Sequence, residues 1–369
     1  MLGVALCRHT NAATPESQQK AIDMYHIDSN IERYDPIFSP KELLAQLPAN
    51  DRVVRTVVDS RTRIQLILSG KSDRIMLIVG PCSIHDPDDA LQYAQKLHSL
   101  SRKVDDTFLI LLRAYFEKSR TGLGWKGLID EPDLDGKSNV SKGLQVARQL
   151  LLDINTLGMP CATELVDPIT PQYILDLIAW SAIGARSVES RRSRELASGI
   201  STPVGFKNRT DGNIDVAVEA VNYARESHSF KGITAEGRIA EIRTKGNPYG
   251  HIILRGGSDG PNYDAVQVAT AQEKLRAKGL PDSVMIDCSH ANSNKDFSRQ
   301  PAIFMNIIQQ IKAGNRKICG IMLESNVHEG NQPYAQSGLK KGVSITDSCI
   351  SFETTEKIIL EAYHSMKNS

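Results

Sequence analysis

The sequence has 369 residues, of which 40% are hydrophobic, and 44 Lys and Arg against 43 Asp and Glu give a net charge of +1. This is a globular composition, long enough for one large barrel or two average domains. The near-neutral charge gives no basic surface for nucleic acid, and no apolar stretch approaches the length of a membrane span. Six scattered cysteines are typical of cytosolic thiols rather than disulfides, so we expect a cytoplasmic protein.

The N-terminal part of the chain differs in character from the remainder. Residues 1–38 are polar and lack periodicity, which indicates a flexible arm, and residues 39–72 contain two helical patterns, "SPKELLAQLP" and "NDRVVRTVVDSRTRIQLILSG". Ser39 and Asn50 are residue types that cap helix N-termini, and each stands at the start of one pattern. We therefore expect an N-terminal helical extension, followed by a catalytic domain over residues 73–369.

From residue 74 onward, short apolar runs alternate with amphipathic helical patterns. Eight runs occur, at 74–80, 107–116, 159–166, 182–188, 202–207, 251–257, 283–290 and 318–325. Strands separated by helical crossovers form a parallel sheet, and eight of them close a (β/α)8 TIM barrel. The alternative, an open doubly wound sheet, would place a Gly-rich phosphate loop after the first strand, where the sequence reads "GPCSIHD". Two further short strands within about 226–250 predict a β-hairpin inserted between barrel strands 5 and 6.

Positively charged residues follow several of the predicted strands. Arg113, Arg186, Lys207 and Arg255 each adjoin an apolar run, and in a barrel all four would lie at the carboxyl-terminal end, where active sites are built. A single charge of this kind is usually solvated at the surface, but buried cations need anionic partners. The four together therefore predict a site for phosphate and carboxylate groups.

A second group of residues near strand ends offers metal ligands. Cys82 follows the first strand, His290 the seventh, Glu324 ends the eighth, and Asp347 lies in the loop beyond it. Considered singly, each of these four residues has a simpler structural explanation. Cys82, for example, could pack as a small buried hydrophobic residue. Because the first and eighth strands are neighbours in a closed barrel, the four converge, and they predict a divalent transition-metal site. Asp86, by contrast, has the pattern of a helix N-cap followed by proline.

Several motifs occur in order from about residue 40 to the C-terminus. They are "GPCSIHD", "RAYFEKSRT", "GWKGLI", "GARSVES", "RELASG", "PVGFKN", "ILRGG", "IDCSHANS", "LESNVHEGNQ" and "SITDSCI". Together they resemble the microbial type I 3-deoxy-D-arabino-heptulosonate 7-phosphate (DAHP) synthases. The resemblance implies a barrel with an N-terminal arm, an inserted β-pair and one divalent metal, with Mn, Fe, Co and Zn as candidates. It also implies condensation of phosphoenolpyruvate with erythrose 4-phosphate to DAHP and phosphate, the first step of the shikimate pathway.

The same resemblance implies roles for individual positions. The family's metal ligands match Cys82, His290, Glu324 and Asp347. The positions that contact phosphoenolpyruvate match Arg113, Lys118, Glu164, Arg186, Lys207 and Arg255. The erythrose 4-phosphate site matches Arg120, Thr121 and Asp347. Lys118, Glu164 and His290 are the expected catalytic groups, and either Lys118 or a water held by the metal or by Glu164 would manage the protons.

The resemblance further implies an inhibitor cavity for an aromatic amino acid, remote from the metal. Its residues would be Leu165, Pro171, Gln172, Ser201, Phe230, Gly232 and Ile242. Gly232 favours tyrosine over phenylalanine, because the missing side chain leaves room for the phenolic hydroxyl. Ala235 stands where the family has a lysine that couples this cavity to the substrate loops, so weak or absent regulation is the alternative. A homodimer or homotetramer is also expected.

Several positions depart from the family pattern. Ser119 replaces the proline of Lys-Pro-Arg-Thr, Arg209 replaces a glycine, and "ESRRSREL" introduces Arg191 and Ser193 into a further motif.

Two other functions remain open on the sequence: a sister enzyme that condenses phosphoenolpyruvate with arabinose 5-phosphate, and a paralogue that binds effectors or a partner subunit without turnover. The intact ligand set, and an aldose motif without the asparagine of the sister enzyme, favour a DAHP synthase.

Overall fold

The computed structural model describes residues 30–119 and 122–368. The chain divides into two units, residues 1–37 and residues 38–369. In the first unit, the described residues 30–37 are exposed and form no helix or strand. All the described helices and strands belong to the second unit.

Helices and strands alternate along the second unit. The helices are α1 (Pro40–Gln46), α2 (Asp51–Leu68), α3 (Pro87–Val104), α4 (Val140–Leu157), α5 (Pro171–Ile174), α6 (Arg191–Gly199), α7 (Asp215–Arg225), α8 (Ala265–Ala277), α9 (Gln300–Lys312) and α10 (Phe352–Lys367). The strands are β1 (Ile75–Gly80), β2 (Phe108–Arg113), β3 (Cys161–Glu164), β4 (Trp180–Ile183), β5 (Val204–Lys207), β6 (Ser229–Ile233), β7 (Ile239–Arg243), β8 (Gly250–Leu254), β9 (Val284–Asp287), β10 (Ile318–Asn326) and β11 (Ile350–Ser351). Across the described residues, no helix combines the length and the apolar character needed to cross a membrane.

Eight of the strands form a closed parallel barrel. Their order is β1-β2-β3-β4-β5-β8-β9-β10, and β10 pairs with β1 to complete the circle. This confirms the predicted (β/α)8 TIM barrel and rules out the open sheet. The register sets Gly80 of β1 opposite Glu324 of β10, so the segment after β1 and the end of β10 reach the same edge of the barrel.

Local capping signals explain where three of the helices begin. Ser39 caps α1 in a reciprocal capping box with Glu42, and the side chain of Asn50 accepts a hydrogen bond from the Val53 N–H in α2. Asp86 caps α3 in the same way, as predicted. Each side chain satisfies an N–H group that the first helical turn leaves unpaired.

Helix α2 closes the amino-terminal end of the barrel. Its residues Ile64, Ile67 and Leu68 are buried in one apolar cluster with Met76 of β1 and Met285 of β9. The predicted helical extension therefore packs directly against the barrel. With this end filled by apolar side chains, the polar groups of the candidate site lie at the opposite, carboxyl-terminal end.

The inserted β-hairpin is present between barrel strands β5 and β8, as predicted. β6 and β7 pair antiparallel with Phe230 opposite Ile242, and both strands are partly exposed. The connection between them is tied to α1, because the Lys41 N–H donates to the Ala235 carbonyl at 2.8 Å.

One barrel strand lies earlier than its sequence pattern indicates. The fourth apolar run predicts a strand over 182–188, whereas β4 is Trp180–Ile183. The chain turns at Gly184, whose carbonyl accepts hydrogen bonds from the N–H groups of Ser187 and Val188. Arg186 therefore lies in a turn beyond the strand.

Candidate active site

A cavity of about 380 Å³ opens at the carboxyl-terminal end of the barrel. Residues that follow or end seven of the barrel strands line it. They include all six positions expected to contact phosphoenolpyruvate, namely Arg113, Lys118, Glu164, Arg186, Lys207 and Arg255, together with His290 and Asp347. Convergence of these charged groups on one cavity suits it to a small charged ligand.

Three of the four expected metal ligands form one compact group of donor atoms beside this cavity, and the fourth, His290, lies next to Glu324. Donor atoms of Cys82, Glu324 and Asp347 all lie within 4.8 Å of one another, and His290 Nε2 is 3.7 Å from Glu324 Oε1. Two ligands bound to one ion through bonds of about 2.0–2.3 Å are at most about 4.5 Å apart. The thiol and the two carboxylates are therefore close to a single coordination sphere, and His290 is the fourth donor through its position beside Glu324. A thiol, an imidazole and two carboxylates fit one divalent transition metal.

His290 is oriented by a buried carboxylate behind its ring. Nδ1 lies 2.9 Å from Asp287 Oδ2 and 2.7 Å from Ser289 Oγ. The Ser289 hydroxyl donates its proton to Asp287 Oδ1 at 2.7 Å, so it can only accept at Nδ1, as can the carboxylate. Nδ1 therefore faces two acceptors and carries a proton, and Nε2, which faces Glu324, is the nitrogen placed to bind a metal. The His290 backbone has φ +57°, a conformation uncommon outside glycine.

Arg113 is buried beside the metal donors. Its Nη2 donates to Glu324 Oε1 at 2.8 Å, and its Nε donates to the Pro81 carbonyl at 3.1 Å. The guanidinium lies over the ring of Tyr115, 3.8 Å from the centroid. Its Nη1 is buried without a hydrogen-bond partner among the described residues, which leaves it available to a ligand. Gly80 permits this packing, because a Cβ there would lie 2.8 Å from the Arg113 carbonyl oxygen.

Lys207 lies between two carboxylates. Its Nζ is 3.4 Å from Glu164 Oε2 and 3.6 Å from Asp287 Oδ2. Burial raises the pKa of Glu164, but the charge of Lys207 and other nearby cations outweighs this effect, and the net pKa is lowered. Glu164 is therefore ionised at neutral pH. Gly184 leaves space for it, since a Cβ there would lie 2.7 Å from Glu164 Oε1.

Arg186 and Arg255 have no carboxylate partner among the described residues. Arg186 Nη1 donates to the Ser119 carbonyl at 3.0 Å, and Arg255 Nη1 donates to the Gly256 carbonyl at 3.2 Å. Arg255 is 8% exposed, and burial lowers its pKa. Uncompensated guanidinium groups in one cavity are suited to a phosphate or carboxylate ligand.

Lys118 contacts the Cys82 thiol. Its Nζ lies 3.0 Å from the sulfur, which is fully buried. Burial, with the charge of Glu324, raises the pKa of Cys82 to about 11 despite the nearby lysine. The thiol is therefore protonated at neutral pH, and a metal ion bound there would displace its proton.

The expected erythrose 4-phosphate site is described in part. Arg120 and Thr121 lie outside the described residues. Asp347 lies at the exposed mouth of the cavity, with Oδ2 3.5 Å from Cys82 Sγ. Lys295 lines the cavity together with Asp347, so this side of the cavity also carries a cation.

The additional arginines of this chain pair with carboxylates outside the cavity lining. Arg209 lies 2.7 Å from a Glu189 oxygen and 3.0 Å from an Asp211 oxygen. Arg191 lies 2.7 Å from the buried carboxylate of Glu195, four residues along α6. Their charges are thus neutralised by neighbouring side chains. Arg191 and Arg209 are therefore absent from the cavity lining, whereas Ser119, the other departure near the cavity, belongs to it.

The residues of the expected inhibitor cavity lie on three segments. Phe230, Gly232 and Ile242 are on the hairpin, Leu165, Pro171 and Gln172 lie between β3 and α5, and Ser201 precedes β5. The Tyr173 hydroxyl donates to the Phe38 carbonyl at 2.8 Å, and the Lys41 N–H donates to the Ala235 carbonyl. Residues 38–41 therefore connect α5 with the hairpin. Ala235 makes its contact through the backbone, so the loss of a lysine side chain there does not remove this connection.

Among the charged and aromatic residues in or beside the cavity, the sequence analysis does not identify Tyr115, Asp287 and Lys295. Asp287 precedes His290 by three residues in "IDCSH", and a carboxylate at that spacing from a candidate ligand is a signal that could have found it. The ring of Tyr115 stacks against the Arg113 guanidinium and so helps to position it. No sequence pattern indicates such stacking.

Uncompensated cations and a metal donor set within one barrel mouth are suited to a metal-dependent TIM-barrel enzyme that acts on anionic small molecules. Comparison with known proteins narrows this class. The sequence model of the DAHP synthetase I family matches residues 55–360, and the chain belongs to that family. This confirms the resemblance indicated by the motifs.

Individual relatives match over nearly their whole length. The chain is 47% identical to the Tyr-sensitive phospho-2-dehydro-3-deoxyheptonate aldolase of Escherichia coli (strain K12), over 95% of this chain and 97% of the relative. It is also 47% identical to the Phe-sensitive enzyme of that strain, over 92% of this chain and 97% of the relative. The solved structure of phospho-2-dehydro-3-deoxyheptonate aldolase from Francisella tularensis SCHU S4 has a TM-score of 0.90 at 46% identity, and the match covers 92% of this chain and 99% of that chain.

Proposed function

We propose that the protein condenses phosphoenolpyruvate with erythrose 4-phosphate to give DAHP and inorganic phosphate. Membership of the DAHP synthetase I family carries the proposal, and the cavity that joins the implied substrate contacts to the implied metal ligands supports it. In this reaction C3 of phosphoenolpyruvate forms a bond to the aldehyde carbon of erythrose 4-phosphate. One water adds at C2, and the phosphate leaves through cleavage of its C–O bond.

The uncompensated charges of the cavity support an assignment of the phosphoenolpyruvate groups. Arg186 and Arg255 bind the phosphate, since neither has a carboxylate partner among the described residues. The free Nη1 of Arg113 and the ammonium of Lys207 bind the carboxylate. Fixing this anion beside the aldehyde site removes much of the entropic cost of bringing two anionic substrates together.

The remaining steps need an electrophile, a positioned water and a proton donor. A divalent ion held by the four-residue donor set would supply Lewis-acid polarisation of the aldehyde oxygen. Lys118, which lies 3.0 Å from Cys82 Sγ, donates a proton as that oxygen becomes a hydroxyl. Ionised Glu164, paired with Lys207 at 3.4 Å, orients the water that adds at C2 and accepts its proton.

A phosphate-release assay tests the function directly. With phosphoenolpyruvate and a divalent metal, erythrose 4-phosphate should give one phosphate per phosphoenolpyruvate consumed, and arabinose 5-phosphate should give much less. Lys207→Ala should lower the rate, whereas Lys142→Ala, at an exposed surface ion pair, should not. Faster turnover with arabinose 5-phosphate would favour the sister enzyme, and no turnover with either sugar would favour a non-catalytic paralogue.

We also infer that an aromatic amino acid inhibits the enzyme, with tyrosine favoured, and that it assembles as a homodimer or homotetramer. The two Escherichia coli relatives are equally identical to this chain, although one is named Tyr-sensitive and the other Phe-sensitive. Overall identity therefore does not choose the effector, and Gly232 supports tyrosine. Sedimentation of the protein with and without tyrosine tests the assembly.

A further inference from the structure

Asp287 contacts both a metal ligand and a substrate-binding lysine. Its Oδ2 lies 2.9 Å from His290 Nδ1 and 3.6 Å from Lys207 Nζ. Its other oxygen, Oδ1, accepts from the Ser289 backbone N–H at 3.0 Å and from the Ser289 hydroxyl at 2.7 Å. Ser289 thus fixes the carboxylate at one end. The imidazole and the ammonium share the single oxygen at the other end.

The buried position of the Asp287 carboxylate strengthens its interactions with both His290 and Lys207. Asp287 is the last residue of β9 and is fully buried, so solvent cannot replace either contact and electrostatic interactions are strong. Oδ2 is buried and has no hydrogen-bond partner among the described residues, so its negative charge interacts with both the imidazole and the ammonium. A movement of this oxygen towards one of them is a movement away from the other. Strengthening the contact with His290 therefore weakens the contact with Lys207, and the reverse.

We propose that Asp287 is a positioning residue that couples binding of the divalent metal to binding of phosphoenolpyruvate. The proposal rests on the proposed function, which supplies the substrate. A metal at Nε2 would make the Nδ1–H of the imidazole more positive, so that Asp287 Oδ2, 2.9 Å away, would be attracted towards His290 and would release Lys207 for the substrate. Conversely, an anion bound to Lys207 weakens the attraction between Lys207 and Asp287. The carboxylate then interacts more strongly with His290 Nδ1, which makes Nε2 a better metal ligand. The two effects are one coupling free energy and must be equal.

A second buried pair joins the same two sites. Arg113 Nη2 lies 2.8 Å from Glu324 Oε1, so a metal at Glu324 also competes for a carboxylate that holds a substrate-binding cation. This route acts in the same direction as the route through Asp287. Removing Asp287 should therefore reduce the coupling and leave a remainder carried by Arg113 and Glu324.

Calorimetric titration of the metal-free protein with phosphoenolpyruvate, without and with saturating Mn²⁺, measures the coupling. The wild type should bind phosphoenolpyruvate at least about fivefold more tightly with Mn²⁺, the lower end of common coupling energies. In Asp287→Asn the ratio of the phosphoenolpyruvate dissociation constants without and with Mn²⁺ should fall at least about threefold towards one. Mn²⁺ itself should bind to this variant about 10–100-fold more weakly than to the wild type. Asp282→Asn is the control, because Asp282 pairs only with Arg276 and Lys317 among the described residues, and it should keep both wild-type values.

Each outcome of these titrations decides the proposal. An unchanged ratio in folded Asp287→Asn overturns it, even if Mn²⁺ binds more weakly. If circular dichroism shows that this variant does not fold, Ser289→Ala decides instead, because it loosens Oδ1 and keeps the charge, and an unchanged ratio there overturns the proposal. Equal binding with and without Mn²⁺ in the wild type overturns the coupling alone, whereas no binding of phosphoenolpyruvate overturns the proposed function as well.

Discussion

Arg113 and Glu324 form an ion pair in the barrel mouth, with Nη2 2.8 Å from Oε1 and side chains that are 1% and 2% exposed. Arg113 ends β2 and Glu324 lies in β10, so the pair reaches across the intervening strand β1. Glu324 is also one of the four candidate metal ligands. Its carboxylate therefore compensates the charge of Arg113, for which we propose a role in binding phosphoenolpyruvate.

Removal of Arg113 should destabilise the metal-free protein strongly. Arg113→Ala leaves the buried Glu324 charge without its partner, which costs about 3–5 kcal/mol of unfolding free energy. Mn²⁺ should restore part of this loss, because Glu324 then regains a cation. Urea unfolding at pH 7, with and without Mn²⁺, measures both effects. Arg209→Ala, at a surface pair with Glu189, should cost less than about 1 kcal/mol, and an equal cost in the two variants would contradict the expectation.

Chelation should abolish activity, and a divalent transition metal should restore it. Cys82→Ala should not be rescued at metal concentrations that saturate the wild type, because it removes one of four donors. Phosphate release across a metal titration is the measurement. Cys161→Ala is a matched control, since Cys161 is buried in the core outside the donor set. This variant should reach half-maximal activity at the same metal concentration as the wild type. Full activity in chelated protein would show that the site is not used.

Gly184→Ala should impair turnover without unfolding the protein. The new Cβ would lie 2.7 Å from Glu164 Oε1, so the carboxylate must move away from Lys207. We expect kcat to fall about tenfold or more, a barrier change of about 1.4 kcal/mol. Gly250→Ala is the control, because its Cβ would make ordinary contacts of 3.4 Å or more. Wild-type kcat in Gly184→Ala would argue against the role given to Glu164.

Stability should depend on pH through Glu117. Burial, with the nearby charges of Asp167 and Asp130, raises the pKa of Glu117 from 4.5 to about 8, and the Thr170 hydroxyl donates to it at 3.1 Å. Between these values the folded protein keeps a proton that the unfolded chain has released. The unfolding free energy should therefore fall as pH rises through this window, by at most about 1.4 kcal/mol per pH unit.

Glu117→Gln removes this titration. Urea unfolding at pH 5, 6, 7 and 8 should show the variant gaining stability relative to the wild type as pH rises. Glu241→Gln serves as the control, because Glu241 is 59% exposed on the hairpin and should give a curve parallel to the wild type. A parallel curve for Glu117→Gln would show that the carboxyl does not hold its proton in the folded state.

Gly232→Ser should shift inhibition from tyrosine towards phenylalanine. A Cβ at this position would overlap Ile242 Cδ1, a flexible side-chain end, and would lie 3.6 Å from Phe230 Cε2. The larger residue therefore fills space beside both expected effector contacts, and the phenolic hydroxyl of tyrosine loses its room. Inhibition curves with tyrosine, phenylalanine and tryptophan measure the change. Stronger inhibition of the wild type by phenylalanine would reject the argument, and no response to any of them would indicate lost regulation.

Much of the candidate site could be predicted because barrel closure is a simple topological rule. Cys82 and Asp347 are far apart in sequence, yet β1 and β10 pair, and the two side chains come within 3.5 Å. Arg186 shows the limit of this reasoning, since β4 ends at Ile183 and the turn at Gly184 places the arginine. The carboxylate behind His290 was also missed, because its role depends on a distance of 2.9 Å rather than on its own strand position.

By itself, the sequence determined the barrel, its inserted hairpin, the helix starts at Ser39, Asn50 and Asp86, and the family. Periodicity, capping and motif order are local properties, so they can be read along the chain. Tertiary structure alone decided that Arg209 pairs with Glu189 instead of entering the cavity. It also decided that one oxygen of Asp287 lies within 3.6 Å of both His290 Nδ1 and Lys207 Nζ. The physical reason is that charges and hydrogen bonds depend on separations of a few ångströms between residues remote in sequence, which only the packed barrel sets.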